Sequence, residues 1–325
     1  MVPEPEFESY YGRQIIKTPT WKTPDVPLYL FLGGLAGGSS LLAEGAALTG
    51  NRRLEHLMRG VAAGGAGVGT VFLIHDLGRP ERFLNMLRVF KITSPLSVGS
   101  YILSPFASLS SAAFASQLTG RLPVLGRLAG VGTAACGPPL AAYTAALLAN
   151  TAVPAWHEAY RELPFVFVGS GSAASGGLAM VLLPTAETAP ALRLAVLGAT
   201  VELTAMQLLE RRLGMLAEPY HQGKSGRLMK AARALTVSGL GLSLVGRRSR
   251  LLRALGGLAF LGGSVTTRFG VFEAGLASAR DPKYTVVPQR ARLAARQAAA
   301  ATGAPPAAVA EVDDHASEEQ HVPSS

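Results

Sequence analysis

The sequence predicts an all-α integral membrane protein of about eight transmembrane helices, arranged as two four-helix bundles, and three observations lead there. Of its 325 residues 49% are apolar and only 16% charged, where soluble domains carry about 25% charged residues. Apolar stretches recur at about the 20-residue length that a helix needs to cross a hydrocarbon core of about 30 Å. The alternating pattern of a barrel strand is missing, so each stretch must satisfy its backbone N–H and C=O groups within a helix.

A sliding hydropathy window places the spans at about 26–50, 55–75, 97–117, 125–150, 163–184, 190–210, 229–246 and 251–275, the last two giving the weakest signal. Small residues crowd them, as in GGLAGGSS (33–40) and GGAGVG (64–69), which lets helix backbones approach closely in lipid. No strand precedes the second run, so helix packing explains it better than a nucleotide-binding loop. In span four, Pro138 and Pro139 are expected to break the helix shortly before Tyr143.

Outside the transmembrane domain, 26–284, residues 1–25 with Tyr10, Tyr11 and Trp21 read as an interfacial arm rather than a cleaved leader. Residues 285–325, rich in alanine and then in proline and acidic groups (GAPPAAVAEVDDHASEEQ), are expected to be disordered. An even number of spans puts both ends on one side, called here the terminal side.

The net charge of +9 does not point to nucleic acid, because the basic residues sit in short loops between spans rather than along one soluble face. The loops NRR (51–53), GRL (126–128) and GRRSRLLR (246–253) lean toward a cytoplasmic position for the side opposite the termini. The single cysteine, Cys136, lies inside span four, which excludes a disulfide framework and an iron–sulfur cluster built by this chain alone. Six histidines are spread so that no facing pair inside the membrane can ligate haem.

At an offset of about 136 residues the two halves align. LYLFLGG (28–34) falls on FVFVGS (165–170), and Leu77-Gly78 on Leu213-Gly214. Four spans per half make these parallel repeats.

Charge concentrates in FLIHDLGRPERFLNMLRVF (72–90), where a smooth apolar run ends in His75, Asp76, Arg79, Glu81 and Arg82. Asp76 and Arg79 stand three residues apart, the spacing of an ordinary helix ion pair and of interface anchors. The helix-stopping Gly78 and Pro80 and the aromatic amphipathic stretch after them argue for more, a polar rim shaped at one mouth of the bundle.

These residues resemble the polysulfide-reductase/NrfD type of polytopic membrane subunit. The resemblance rests on PLYLFLGGLAGGSSLLA (27–43), on HDLGRPERFLNMLRVFKITSPLSVGSY (75–101), which is the specific motif, and on LPFVFVGSGSAASGG (163–177). It implies a quinone-reactive membrane anchor, incomplete as an enzyme alone, in a prokaryotic cytoplasmic membrane. Its partners would be a four-cluster ferredoxin-like iron–sulfur subunit and a molybdopterin catalytic subunit. Its substrate would be menaquinone or another quinone, with no haem and no cluster in the chain itself, and proton translocation is left open.

Quinol chemistry needs hydrogen-bond partners for the ring oxygens, a titratable exit for protons and a nearby electron acceptor. Tyr29 and Tyr143 can donate to a quinone oxygen, His75 or Asp76 can exchange the proton, and Arg79 can hold Asp76 ionised. In the family, Tyr143 matches a tyrosine late in the fourth helix and Asp76 with Arg79 an aspartate motif, whereas some relatives carry histidine at the place of Tyr29. Glu44, Glu202, Arg268 and Glu273 also lie within spans, where charge is expensive. Glu202, near the middle of span six, is the candidate proton relay, and Arg268 and Glu273 read as anchors or a pair near the terminal end. A proton-coupled secondary transporter using Glu202 is the alternative, and a structural anchor without quinone chemistry a third reading.

Overall fold

In the computed structural model of the chain, residues 15–88, 90, 91, 93–246 and 249–302 are described, and among them every regular element is helical. Tyr10 and Tyr11 of the arm, Arg247 and Arg248 of the basic loop and the tail from residue 303 lie outside the described residues. α1 (Asp25–Leu48) and α2 (Arg52–Leu77) are followed by the short amphipathic α3 (Pro80–Arg88), then by α4 (Pro95–Thr119) and α5 (Pro123–Ala149). The single turn α6 (Pro154–His157) leads to α7 (Leu163–Leu182) and α8 (Ala189–Leu213). Another single turn, α9 (Glu218–His221), precedes α10 (Gly223–Val245), α11 (Arg250–Arg280) and α12 (Lys283–Thr302).

Seven helical segments are long and apolar enough to cross a membrane, α1, α2, α4, α5, α7, α8 with its continuation to His221, and α10. The eighth crossing is α11, 31 residues long, whose apolar character is diluted by Arg250, Arg253, Arg268, Glu273 and Arg280. The protein is therefore a multi-pass membrane protein of about eight spans, as its composition requires.

The elements start and stop where backbone chemistry directs. α4, α5 and α6 begin with proline in their first turn, where a missing N–H costs no helix bond. α2 and α8 end at Leu77 and Leu213 on glycines of positive φ, 73° at Gly78 and 53° at Gly214, a conformation that costs glycine little. These matched stops bear out the repeat register in the first helix pair of each half.

α1 and α7 form the centre. α1 packs on α2, α5 and α7, and α7 on α8 and α11, so two four-helix bundles, α1/α2/α4/α5 and α7/α8/α10/α11, meet along the α1–α7 seam. A Cβ on Gly171 would lie 2.7 Å from the Gly34 carbonyl oxygen; only bare backbone fits there. Ser175 adds hydrogen bonds to the Leu35 and Gly171 carbonyls, both at 2.9 Å.

Two expectations change. α5 runs through Pro138 and Pro139 without the expected break: their fixed φ suits a helix, although each ring removes a donor from the carbonyl four residues back and crowds it. The tail expected to be disordered from residue 285 begins instead as α12, through Thr302. Its run ARLAARQAAAA (291–301) is made of strong helix formers, enough to outweigh low hydrophobicity.

Candidate functional site

The polar rim forms at the terminal side, where α1 begins and α2 ends. Residues just before α1 fold back over that mouth, and Trp21 stacks on Trp156 and Phe272 with centroids 5.6 and 6.5 Å away. Trp156 is fully buried and its indole N–H donates to the Val271 carbonyl at 2.7 Å. This aromatic stack ties the arm to α6 and α11.

Folding back brings Lys22 to the end of α2. Its backbone N–H donates to Asp76 Oδ1 at 2.8 Å, and its Nζ donates to the His75 carbonyl at 2.9 Å. His75 Nδ1 lies 2.6 Å from Oδ2 of Asp25, whose side chain is buried. His75 and Asp76 thus stand in one cluster, as the sequence suggested, together with two residues that it did not single out.

Arg79 is the correction. It is exposed, and no ion pair joins it to Asp76 among the described residues. The i, i+3 spacing counts only inside a continuous helix, and α2 has already ended at Leu77 with the left-handed Gly78 turning the chain away. The group that meets the Asp76 carboxylate is the Lys22 amide instead.

Tyr29 follows Asp25 by four residues, so it lies on the same face about 6 Å deeper. Tyr29 and Tyr143 are both buried in the core, with Val26, Leu73, Leu103 and Phe106 in the same cluster, and the two phenols are electrostatic neighbours. Gly99 of α4 makes room for Tyr143: a Cβ there would fall 1.8 Å from the phenol Cζ. Neither hydroxyl hydrogen-bonds to another described residue. Two phenols with no hydrogen-bond partner among the described residues therefore sit beneath the polar rim.

Glu202 is separate from this mouth. It is buried at mid-helix in α8, where Oε1 accepts from Thr267 Oγ1 at 2.7 Å and Oε2 has no hydrogen-bond partner among the described residues. Beside it lies a cavity of about 20 Å³ lined by Met206, Met229, Thr236 and Thr267, room for a single water. Arg268, read from the sequence as an anchor near the terminal end, is instead fully buried in the centre of the molecule. Its Nη2 donates to the Phe167 carbonyl at 2.8 Å, its Nε reaches the Leu30 carbonyl at 3.4 Å, and its guanidinium lies 3.9 Å over the Phe167 ring. Arg268 directly follows Thr267, whose hydroxyl binds Glu202, and it touches α1 one residue from Tyr29.

The other in-span charges are paired. Glu273 accepts from Lys224 at 2.6 Å. Glu44 lies 4.0 Å from Arg59 and 3.8 Å from Arg127, and Arg59 also contacts Glu55 at 2.9 Å.

The second half repeats the geometry of the rim with different chemistry. In the register that lays Leu213-Gly214 on Leu77-Gly78, Arg212 falls on Asp76 and Glu158 on Lys22. Where the Lys22 amide meets the Asp76 carboxylate, the Arg212 guanidinium meets the Glu158 carbonyl. Arg212 also clasps both oxygens of Glu162 at 2.6 Å. The acid–base mouth belongs to the first half alone.

Asp25 and Lys22 escaped the sequence reading because they stand at the end of an arm whose aromatic residues suggested only anchoring. The available signal was Asp25 in the first turn of α1, an ionisable group directly before an apolar span.

Among family models, the one described as polysulphide reductase, NrfD matches residues 16–209, taking in the fold-back arm, the first bundle, α7 and most of α8. No curated protein matches the chain.

Proposed function

The chain belongs to the polysulphide reductase, NrfD family, and from that premise we propose that it is the quinone-interacting membrane subunit of a multi-subunit oxidoreductase. It exchanges electrons between the quinone pool of a prokaryotic cytoplasmic membrane and a four-cluster ferredoxin-like iron–sulfur subunit docked at the terminal-side mouth. A molybdopterin subunit completes the enzyme. Menaquinone or another quinone is the substrate, and this chain supplies neither haem nor cluster.

The observation that carries this reading is the pair of buried, partnerless phenols, Tyr29 and Tyr143, beneath the His75–Asp25 and Asp76–Lys22 contacts. A quinone oxygen placed between the phenols would accept hydrogen bonds that no protein group accepts. Oxidation of a quinol then sends two electrons to the docked clusters and two protons outward, with Asp76 or the His75–Asp25 pair as first acceptor. Quinone reduction runs the same steps backward. Glu202, reached through Arg268 rather than from the rim directly, is the relay for any proton that crosses further.

A transporter reading is disfavoured by the space beside Glu202, which holds about one water and no solute. The test is quinone content. The full chain, purified from native membranes in mild detergent, should retain about one quinone per chain on solvent extraction, and Tyr29→Phe/Tyr143→Phe should lose it. Absence of quinone from well-folded wild-type protein would leave the structural-anchor reading.

A further inference from the structure

Between α7 and α8, toward the terminal side, an open groove of about 410 Å³ runs along the outer surface. Phe165, Val201, Thr204, Ala205 and Leu208 line it, with Arg161 and Glu162 at its mouth and Thr200 at its inner end. The hydroxyl of Thr200 is turned back to the Val196 carbonyl at 2.8 Å, so this end adds no free polar group. From Leu208 to Thr200 the groove follows α8 for about 12 Å into the bilayer.

Its position has a counterpart in the first half. The register that places Leu213-Gly214 on Leu77-Gly78 places Phe165 on Tyr29, Arg161 on Asp25 and Arg211 on His75. Tyr29 is 3% exposed and Phe165 is 61% exposed, so the site that the first bundle closes is open to lipid in the second. Asp25 Oδ2 and His75 Nδ1 meet at 2.6 Å. Their counterparts are two arginines, and among the described residues neither Arg161 nor Arg211 has a carboxylate partner. Arg212 and Arg292, close by in the fold, are paired with Glu162 and Glu158, so those carboxylates are already engaged. Tyr160 fixes Arg161 by accepting from its Nε at 2.8 Å, with the guanidinium 5.3 Å over the ring.

We infer that this groove is a binding site for an anionic phospholipid, with an acyl chain against Phe165 and Leu208 and the phosphate between Arg161 and Arg211. The two halves of the chain then hold two different amphiphiles at equivalent positions of one membrane face. The acid–base pair suits a neutral headgroup that exchanges protons, and the two arginines suit a fixed negative charge. A zwitterionic lipid would fill the groove equally well, but its own cationic group cancels its phosphate and leaves both arginines uncompensated, whereas an anionic lipid offsets one of them. This inference does not depend on what the first bundle binds.

The test uses the full chain in nanodiscs of equal parts phosphatidylglycerol and phosphatidylcholine, followed by transfer to mild detergent and native mass spectrometry. The wild-type chain should retain phosphatidylglycerol over phosphatidylcholine by at least about fivefold, the contribution of one basic side chain near an anionic lipid surface. Arg161→Gln/Arg211→Gln should abolish the preference. Thr204→Trp, which keeps both charges and fills the groove, should lower the amount of either lipid retained. Thermal unfolding of each variant shows whether it is folded; should the double variant fail there, the wild-type preference and Thr204→Trp decide. Equal retention of the two lipids by wild type, an unchanged preference in the folded double variant, unchanged retention in Thr204→Trp, or retained quinone in place of phospholipid when the Tyr29→Phe/Tyr143→Phe chain is used would each overturn the inference.

Discussion

His75 Nδ1 lies 2.6 Å from Asp25 Oδ2, joining the end of α2 to the start of α1, with the imidazole side chain 70% exposed and the carboxylate 7% exposed. A buried carboxylate that orients a solvent-facing imidazole gives a proton acceptor with one fixed nitrogen and one free nitrogen, a suitable exit for quinol protons. Asp25→Asn keeps the shape and removes the carboxylate that holds His75 Nδ1. Quinone-linked turnover of the purified complex should fall by about tenfold or more, since positioned acid–base groups contribute at least that much. Activity with an artificial dye at the soluble subunit should persist. Equal loss of both activities at unchanged subunit content would assign Asp25 to docking of the partner.

Asp76 and Arg79 should behave as independent residues. Asp76 is held by the Lys22 amide, so Asp76→Asn deletes a titratable group at the mouth and should depress quinone-linked but not dye-linked activity by about tenfold. Arg79→Gln alters an exposed side chain with no ion pair to Asp76 and should change the same rate by less than about twofold. A large loss in Arg79→Gln, matched by loss of the iron–sulfur subunit on gel filtration, would place Arg79 in the docking surface.

How far the sequence was legible follows from which signals are local. Eight spans could be read because every crossing helix must be apolar over its own length, and even the charged α11 keeps enough apolar residues to be found. The terminal-side grouping of Tyr29, Tyr143 and His75 followed from span direction alone. The partner of Asp76 did not, because Arg79 is near in sequence but the φ of Gly78 separates it in space, while Lys22 arrives from a segment 54 residues away. Arg268 was misread for a related reason: distance from a helix end says little about depth when the helix is 31 residues long and its guanidinium points into the seam between bundles.

Arg268 and Glu202 should be coupled in stability as well as in proton movement. Arg268 is fully buried, and among the described residues neither its Nη1 nor Glu202 Oε2 has a hydrogen-bond partner. Arg268→Leu leaves the buried carboxylate without its compensating charge and should cost about 3–5 kcal/mol, read as a lowered thermal unfolding midpoint in detergent. Adding Glu202→Gln should restore part of that loss. The single Glu202→Gln should assemble normally yet slow quinol-linked proton release or uptake, measured with a pH dye in proteoliposomes. Full additivity of the two unfolding effects would show that the two residues do not interact.

Cofactor content gives a simple check. With Cys136 as its single cysteine and six histidines that offer no facing pair inside the membrane, the chain purified without partners should show no Soret absorption and no stoichiometric iron. Either signal in a pure single-subunit sample would require a ligand set that this reading does not contain.

The sharpest structural prediction concerns Gly99. A Cβ at that position would lie 1.8 Å from Cζ and 2.0 Å from the hydroxyl of Tyr143, so Gly99→Ala must push the phenol out of place, whereas Tyr143→Phe removes only its hydroxyl. If Tyr143 donates to the quinone, Tyr143→Phe should weaken quinone binding by about two- to tenfold, the range for one hydrogen bond, and raise the KM for quinone accordingly. Gly99→Ala should weaken it further and also lower the unfolding midpoint, because the ring is displaced within a close-packed core. Gly99→Ala combined with Tyr143→Ala removes the clash, so the midpoint should recover relative to Gly99→Ala alone while quinone affinity stays low. That divergence separates a ligand-binding tyrosine from a packing tyrosine. If Tyr143 only packs, Tyr143→Phe would leave the KM unchanged, and affinity in the combined variant would recover together with stability.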